Sequence, residues 1–207
     1  MLDGALRRFI EPPLDRMARP LARAGIPANA VTLGGFAVGL AAVPFIALGG
    51  YGWGLLAILV NRFADGLDGA VARQQGSTDL GGYLDIVCDF IFYGTVVFGF
   101  VLGDPEAHLP GAFLLLSFIG TGGSFLAFAA LAARRNLETI ARGQKSLYYL
   151  GGLTEGTETI LFFVASCLFP DFFPVFAWIF GAACWITTLS RVATAWKMLE
   201  MPPRARR

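Results

Sequence analysis

The stretch Asn61-Arg62-Phe63-Ala64-Asp65-Gly66-Leu67-Asp68-Gly69-Ala70-Val71-Ala72-Arg73, followed after seven intervening residues by Gly81-Gly82-Tyr83-Leu84-Asp85-Ile86-Val87-Cys88-Asp89, decides the fold. It sets four carboxylates in runs otherwise apolar enough for a bilayer. Asp65 and Asp68 are three apart and Asp85 and Asp89 four apart, so on helices each pair projects from one face. The polar connection over residues 74–80 is short, which predicts antiparallel neighbouring helices with both pairs at one depth. Acidic side chains are costly in hydrocarbon, and intramembrane ones are functional candidates by default.

Four like charges in a low-dielectric site repel or take up protons unless cations neutralise them. Two divalent ions balance the count. Oxygen ligands select hard cations such as Mg²⁺ or Mn²⁺ over zinc, and Mg²⁺ completes its shell with water and substrate phosphates. Gly69 lies one turn beyond Asp65 and Gly81 one turn before Asp85, so both leave room beside the carboxylates for a phosphate. Ala72 continues that low surface, and Arg73 offers a planar fork for a phosphate or a carboxylate.

Working outward, the 207 residues are 56% hydrophobic and only 15% charged, against about a quarter charged in soluble domains. The 26 glycines suit close helix contacts in a membrane bundle. The predicted fold is all-α and polytopic. Its six transmembrane helices fall roughly over 30–49, 51–72, 82–103, 111–133, 147–168 and 172–197, each long enough to span. Ahead of them, residues 4–23 alternate Leu6, Ile10, Leu14, Met17 and Leu21 with five arginines, the pattern of an amphipathic helix at the membrane surface. Pro12-Pro13 is expected to break it. The N-terminus lacks the apolar core of a cleavable signal. The organisation expected is a surface segment over 1–28, a membrane domain over 29–199 and a basic tail over 200–207.

With a cytoplasmic N-terminus, all 16 Lys and Arg residues fall on the cytoplasmic side or in the cytoplasmic halves of helices. The positive-inside rule therefore places both termini and the aspartates there, in a membrane such as a bacterial inner membrane. His108, the sole histidine, falls in an outer loop and reads as solvated. Cys88, Cys167 and Cys184 lie in apolar stretches and read as small buried hydrophobes. The net charge is +1 and the basic residues are scattered, which excludes a nucleic-acid partner.

The residues quoted at the outset read D-x-x-D-G-x-x-A-R, seven residues, then G-x-x-x-D-x-x-x-D. This resembles the signature of the class I CDP-alcohol phosphatidyltransferase family. The resemblance extends to the six-helix layout and the N-terminal surface helix. It implies a homodimer whose subunits each bind two divalent ions and a CDP-linked lipid, such as CDP-diacylglycerol, near the cytoplasmic interface. Carried over position by position, it makes Asp65, Asp68, Asp85 and Asp89 metal ligands, with Asp89 also the general base. Gly69, Ala72, Arg73 and Gly81 shape the nucleotide and diphosphate pocket together with Asp65 and Asp68, and Asn29 and Thr32 help line it. The implied reaction displaces CMP by the hydroxyl of a small alcohol, with no covalent enzyme intermediate.

Two further polar sets are candidates for the acceptor. Arg134, Arg135, Arg142 and Lys145 crowd the segment after the fourth apolar stretch and either bind an acceptor phosphate or express topology and anionic-lipid contact. Glu155 and Glu158, three apart in the fifth stretch, either bind acceptor groups or pair with Arg62 or Arg191 as structural glue. Two rival activities stand beside phosphatidyl transfer. One donates a CDP-linked head group to a diacylglycerol. The other is cation transport through intramembrane acids, which the lack of inverted repeats or broken half-spans disfavours.

Overall fold

The computed structural model describes residues 3–134, 138–139, 146–147 and 152–200. Helix α1 (Asp3–Arg23) runs unbroken through Pro12, Pro13 and Pro20, where the sequence predicted a break. Proline already holds a helical φ, and its penalty is a lost hydrogen bond and a ring clash. Packing offsets that penalty, because Leu14 and Ala18 bury against Ala70 and Val71 of the helix that carries Asp65 and Asp68.

The chain turns at Gly25, whose φ is +73°, and enters α2 (Ala28–Leu40) and α3 (Ala42–Ala47). Together these form one apolar segment of 20 residues with a break at Ala41. Its cause is Pro44, which has no N–H for the carbonyl of Leu40. Helix α4 (Tyr51–Gln75) ends at Gly76, whose φ of +100° stops the helix. Thr78 then caps α5 (Asp79–Gly103), its hydroxyl accepting from the Gly81 N–H at 3.0 Å. The connection is thus three residues, tighter than the sequence suggested. Helices α6 (His108–Arg134), α7 (Gly156–Leu168) and α8 (Phe173–Glu200) complete the described helices. The fold is all-helical as expected, with a two-residue antiparallel pairing, Glu138–Thr139 with Ser146–Leu147, beside the helices. Arg135, Arg142, Lys145 and the tail beyond Glu200 lie outside the described residues.

Among the described residues, four segments are long and apolar enough to cross a membrane: Ala28–Ala47, Asp79–Gly103, Pro105–Arg134 and Pro170–Glu200. Helix α4 matches them in length but carries Arg62, Asp65, Asp68 and Arg73. Helix α7 has 13 residues, about 20 Å at 1.5 Å per residue. That is short of the full span expected over 147–168, since its helical part begins only at Gly156.

Glycines mark the close crossings, as membrane packing requires. A Cβ on Gly35 would collide with the Ala64 side chain, and one on Gly39 would lie 2.8 Å from Asn61 Nδ2, so α2 lies tight on α4. Gly99 and Gly103 seat α5 on α3, where a Cβ on either would lie 3.1–3.3 Å from the backbone of Val43 or Ala47. The core between α3, α4, α5, α7 and α8 is aromatic, with Phe100 stacked on Phe173 at 4.3 Å and Phe92 edge-on to Phe163. Helices α4 and α5, expected as packed neighbours, both rest chiefly on α2 and α3 instead of on each other. They diverge from their short turn, and the carboxylates face the cleft between them.

Candidate active site

Asp65 and Asp68 project from α4 and Asp85 from the second turn of α5, and one carboxylate oxygen of each lies within 4.8 Å of the other two. Asp85 is exposed and Asp65 half-buried, while Asp68 is only 5% exposed. Asp68 Oδ2 is fully buried with no hydrogen-bond partner among the described residues. Thr32 of α2 reaches the Asp68 side chain, and its hydroxyl donates to the Ala28 carbonyl at 3.1 Å. An orphaned buried carboxylate oxygen beside two other carboxylates carries a large electrostatic penalty unless a cation meets it. Three acidic oxygens with an open side toward Asp85 fit a hard divalent cation that keeps part of its shell for other ligands.

Asp89, predicted to join the same cluster, is drawn to Arg62, whose Nη2 donates to Asp89 Oδ1 at 2.8 Å. The same guanidinium lies 3.5 Å from Asp65 Oδ2 through Nη1. Its Nε donates to Asn61 Oδ1 at 2.8 Å and its Nη1 to the Tyr93 hydroxyl at 3.3 Å, and it stands 4.6 Å over the Phe92 ring. Asn61 is itself buried and donates to the Gly35 carbonyl at 3.0 Å, so α2 fixes the residue that orients Arg62.

The pocket-shaping residues lie around the trio. A Cβ on Gly69 would meet only Arg73 Nη1, at 3.6 Å, so the surface beside Asp65 is open, with the Arg73 guanidinium over it. Gly81 sits against Thr78 Oγ1 and Asn29 Oδ1, at 3.1 and 3.2 Å from a built Cβ, which brings Asn29 of α2 to the first turn of α5. Ala72 is half-buried one turn along. Arg73 is not loose, because its Nη2 donates to Asp15 Oδ1 of α1 at 2.8 Å. Its neighbours Gln74 and Gln75 donate to the carbonyls of Asp15 and Ile26 at 2.9 and 2.8 Å. The sequence reading missed Asp15, which lies 58 residues from its partner.

The acceptor candidates separate. Arg134 ends α6, exposed. Glu155 and Glu158 do not lie on one face of a helix interior. Glu155 is the N-cap of α7, its side chain meeting the backbone N–H of Glu158, and Glu158 Oε2 accepts from the Glu155 N–H at 3.0 Å. This reciprocal capping box satisfies two of the amides that a helix start leaves open. Glu158→Ala, which removes the acceptor of the Glu155 N–H, is expected to cost about 1 kcal/mol of stability and lower the melting temperature in detergent, with acceptor KM unchanged. A shift in acceptor KM would instead return Glu158 to the acceptor pocket.

Fold and site together define a polytopic helical protein with a carboxylate cluster opening beside an arginine. The CDP-alcohol phosphatidyltransferase family model matches residues 26–194. The chain belongs to that family and is an enzyme of its kind. It is 55% identical over 201 residues to the inner membrane protein YnjF of Escherichia coli (strain K12), covering 97% of this chain and 98% of the relative. The phosphatidylinositol phosphate synthase (PgsA1) of Mycobacterium tuberculosis with CDP-DAG bound superposes with a TM-score of 0.65 at 26% identity, covering 88% of this chain and 93% of that one. The same enzyme in complex with manganese and citrate also gives 0.65 at 26% identity, with 88% of each chain covered.

Proposed function

We propose that the protein transfers a phosphatidyl group from CDP-diacylglycerol to the hydroxyl of a small alcohol, releasing CMP, with divalent-cation dependence. The observation that carries this reading is the buried, unpartnered Asp68 oxygen within the Asp65–Asp68–Asp85 trio, in a family member whose structural neighbour was solved with CDP-DAG. Asp65, Asp68 and Asp85 would hold Mg²⁺ or Mn²⁺, and the charge of the four carboxylates calls for two such ions. When bound, the ions neutralise the diphosphate and the leaving CMP oxygen. Arg73, braced by Asp15, meets the diphosphate over the open surface at Gly69, and Asn29, Thr32, Ala72 and Gly81 border the nucleotide. Asp89 takes the proton as the acceptor oxygen attacks the phosphorus that carries the diacylglycerol, and the bond from that phosphorus to CMP breaks. Arg62 engages only Oδ1 of Asp89, which leaves Oδ2 for the acceptor hydroxyl.

The surrounding architecture belongs to the same proposal. Residues 29–199 make six spans, with α4 and α7 as the two that composition or length alone does not qualify, and α1 lies along the cytoplasmic surface of an inner membrane. Both termini are cytoplasmic and two copies associate. The name of the structural neighbour makes a phosphorylated cyclitol the first acceptor to try, with Arg134, Arg135 and Lys145 as its phosphate ligands.

Purified protein in detergent with labelled CDP-diacylglycerol, Mn²⁺ and a panel of free and phosphorylated alcohols is expected to release CMP with one acceptor class, and chelation is expected to stop it. Consumption of a CDP-linked head group with diacylglycerol would establish the reversed lipid roles instead. CMP release that survives exhaustive chelation would overturn the metal reading.

A further inference from the structure

The sequence contains a cation the family-signature spacing does not include. Arg62 lies one turn before Asp65, on the carboxylate face of α4, and is only 14% exposed. Five groups hold it: two carboxylates, the Asn61 amide, the Tyr93 hydroxyl and the Phe92 ring. A guanidinium with its planar fork shared between two carboxylates fills the place that a bridging cation would take. Its position splits the four aspartates. Asp65, Asp68 and Asp85 converge, and the guanidinium holds Asp89 beside Asp65, outside that trio.

We infer that Arg62 is a built-in counter-cation for the Asp65–Asp89 flank, so that the resting enzyme binds a single divalent ion, at Asp65, Asp68 and Asp85. This rests on the metal reading of the aspartates given above. Charge supports it. Four carboxylates with Arg62 and one divalent ion leave a single net negative charge, whereas a second divalent ion would leave a net positive charge in a low-dielectric cleft with no anion to offset it. A diphosphate supplies that anion, and the second ion enters with the donor. Geometry supports it independently. The orphaned oxygen that calls for a cation belongs to Asp68, which is not one of the two carboxylates paired with Arg62, while Asp89 Oδ1 is already engaged.

The test counts Mn²⁺ on the full-length protein in detergent by calorimetric titration, without donor, and follows the ions by electron spin resonance. The wild type is expected to bind one Mn²⁺ per chain with an uncoupled spectrum. Arg62→Met, which removes the charge and keeps an apolar stem over Phe92, is expected to bind two with spin coupling between them. Arg62→Lys restores the charge and is expected to return the count to one. Wild-type protein that binds two coupled ions without donor overturns the inference whether or not either variant folds, and so does an Arg62→Met protein that still binds one. Wild-type protein that binds none fails the metal reading itself, a different outcome from either.

Discussion

Asp68→Asn raises the dissociation constant for Mn²⁺ by about 100-fold or more, since even partners behind a metal ligand are worth about 10–100-fold. CMP release then disappears at Mn²⁺ levels that saturate the parent enzyme. Asp68 is the most buried of the trio, and its Oδ2 is without a hydrogen-bond partner among the described residues. The amide keeps the volume and the contact with Thr32 but removes the charge, so the helices stay packed while the cation loses its deepest ligand. Unchanged Mn²⁺ affinity in a folded Asp68→Asn protein would move the metal site elsewhere.

Asp89→Asn produces the opposite division. Turnover is expected to fall by about 10²–10⁴, the usual worth of a positioned base, while resting Mn²⁺ affinity stays close to that of the parent. The reason is that Asp89 meets the Arg62 guanidinium and stands apart from the converging trio. Single-turnover CMP release and a Mn²⁺ titration on the same preparation measure the two halves separately. Near-normal turnover would remove Asp89 from the role of base.

The part of the site carried by local spacing was legible in the sequence. Asp65 and Asp68 share a helix face because they are three apart, and Gly69 opens the surface because it has no side chain, both consequences of helix geometry. Arg62 was legible only halfway. Its position one turn before Asp65 announces a pair with that residue, but its stronger contact with Asp89 depends on how α5 crosses, which no local pattern encodes. The Asp15–Arg73 pair, 58 residues apart, had no signal beyond an acidic residue among the arginines of α1.

Three local signals were present and misread. Pro44 marks the break at Ala41, and Glu155 with Glu158 has the three-residue spacing of a capping box. Pro12-Pro13 did suggest a break, yet Leu14 and Ala18 found a seat on α4 that holds the helix together. In each instance tertiary contact or helix-end chemistry overrode the simpler pattern of apolar runs.

The divergence of α4 and α5 has a mechanical consequence. Near Asp104 the two helices are clamped to a common post, since Gly99 and Gly103 of α5 seat on α3 and Gly54 of α4 meets Ile46 of α3. Near the carboxylates the link between them is polar, the Arg62 guanidinium of α4 reaching Asp89 and Tyr93 of α5. The two helices are therefore fastened by close packing at one end and by a three-residue turn and an ion pair at the other, so a change of charge at Arg62 is felt at the carboxylates while the packed end stays as it is.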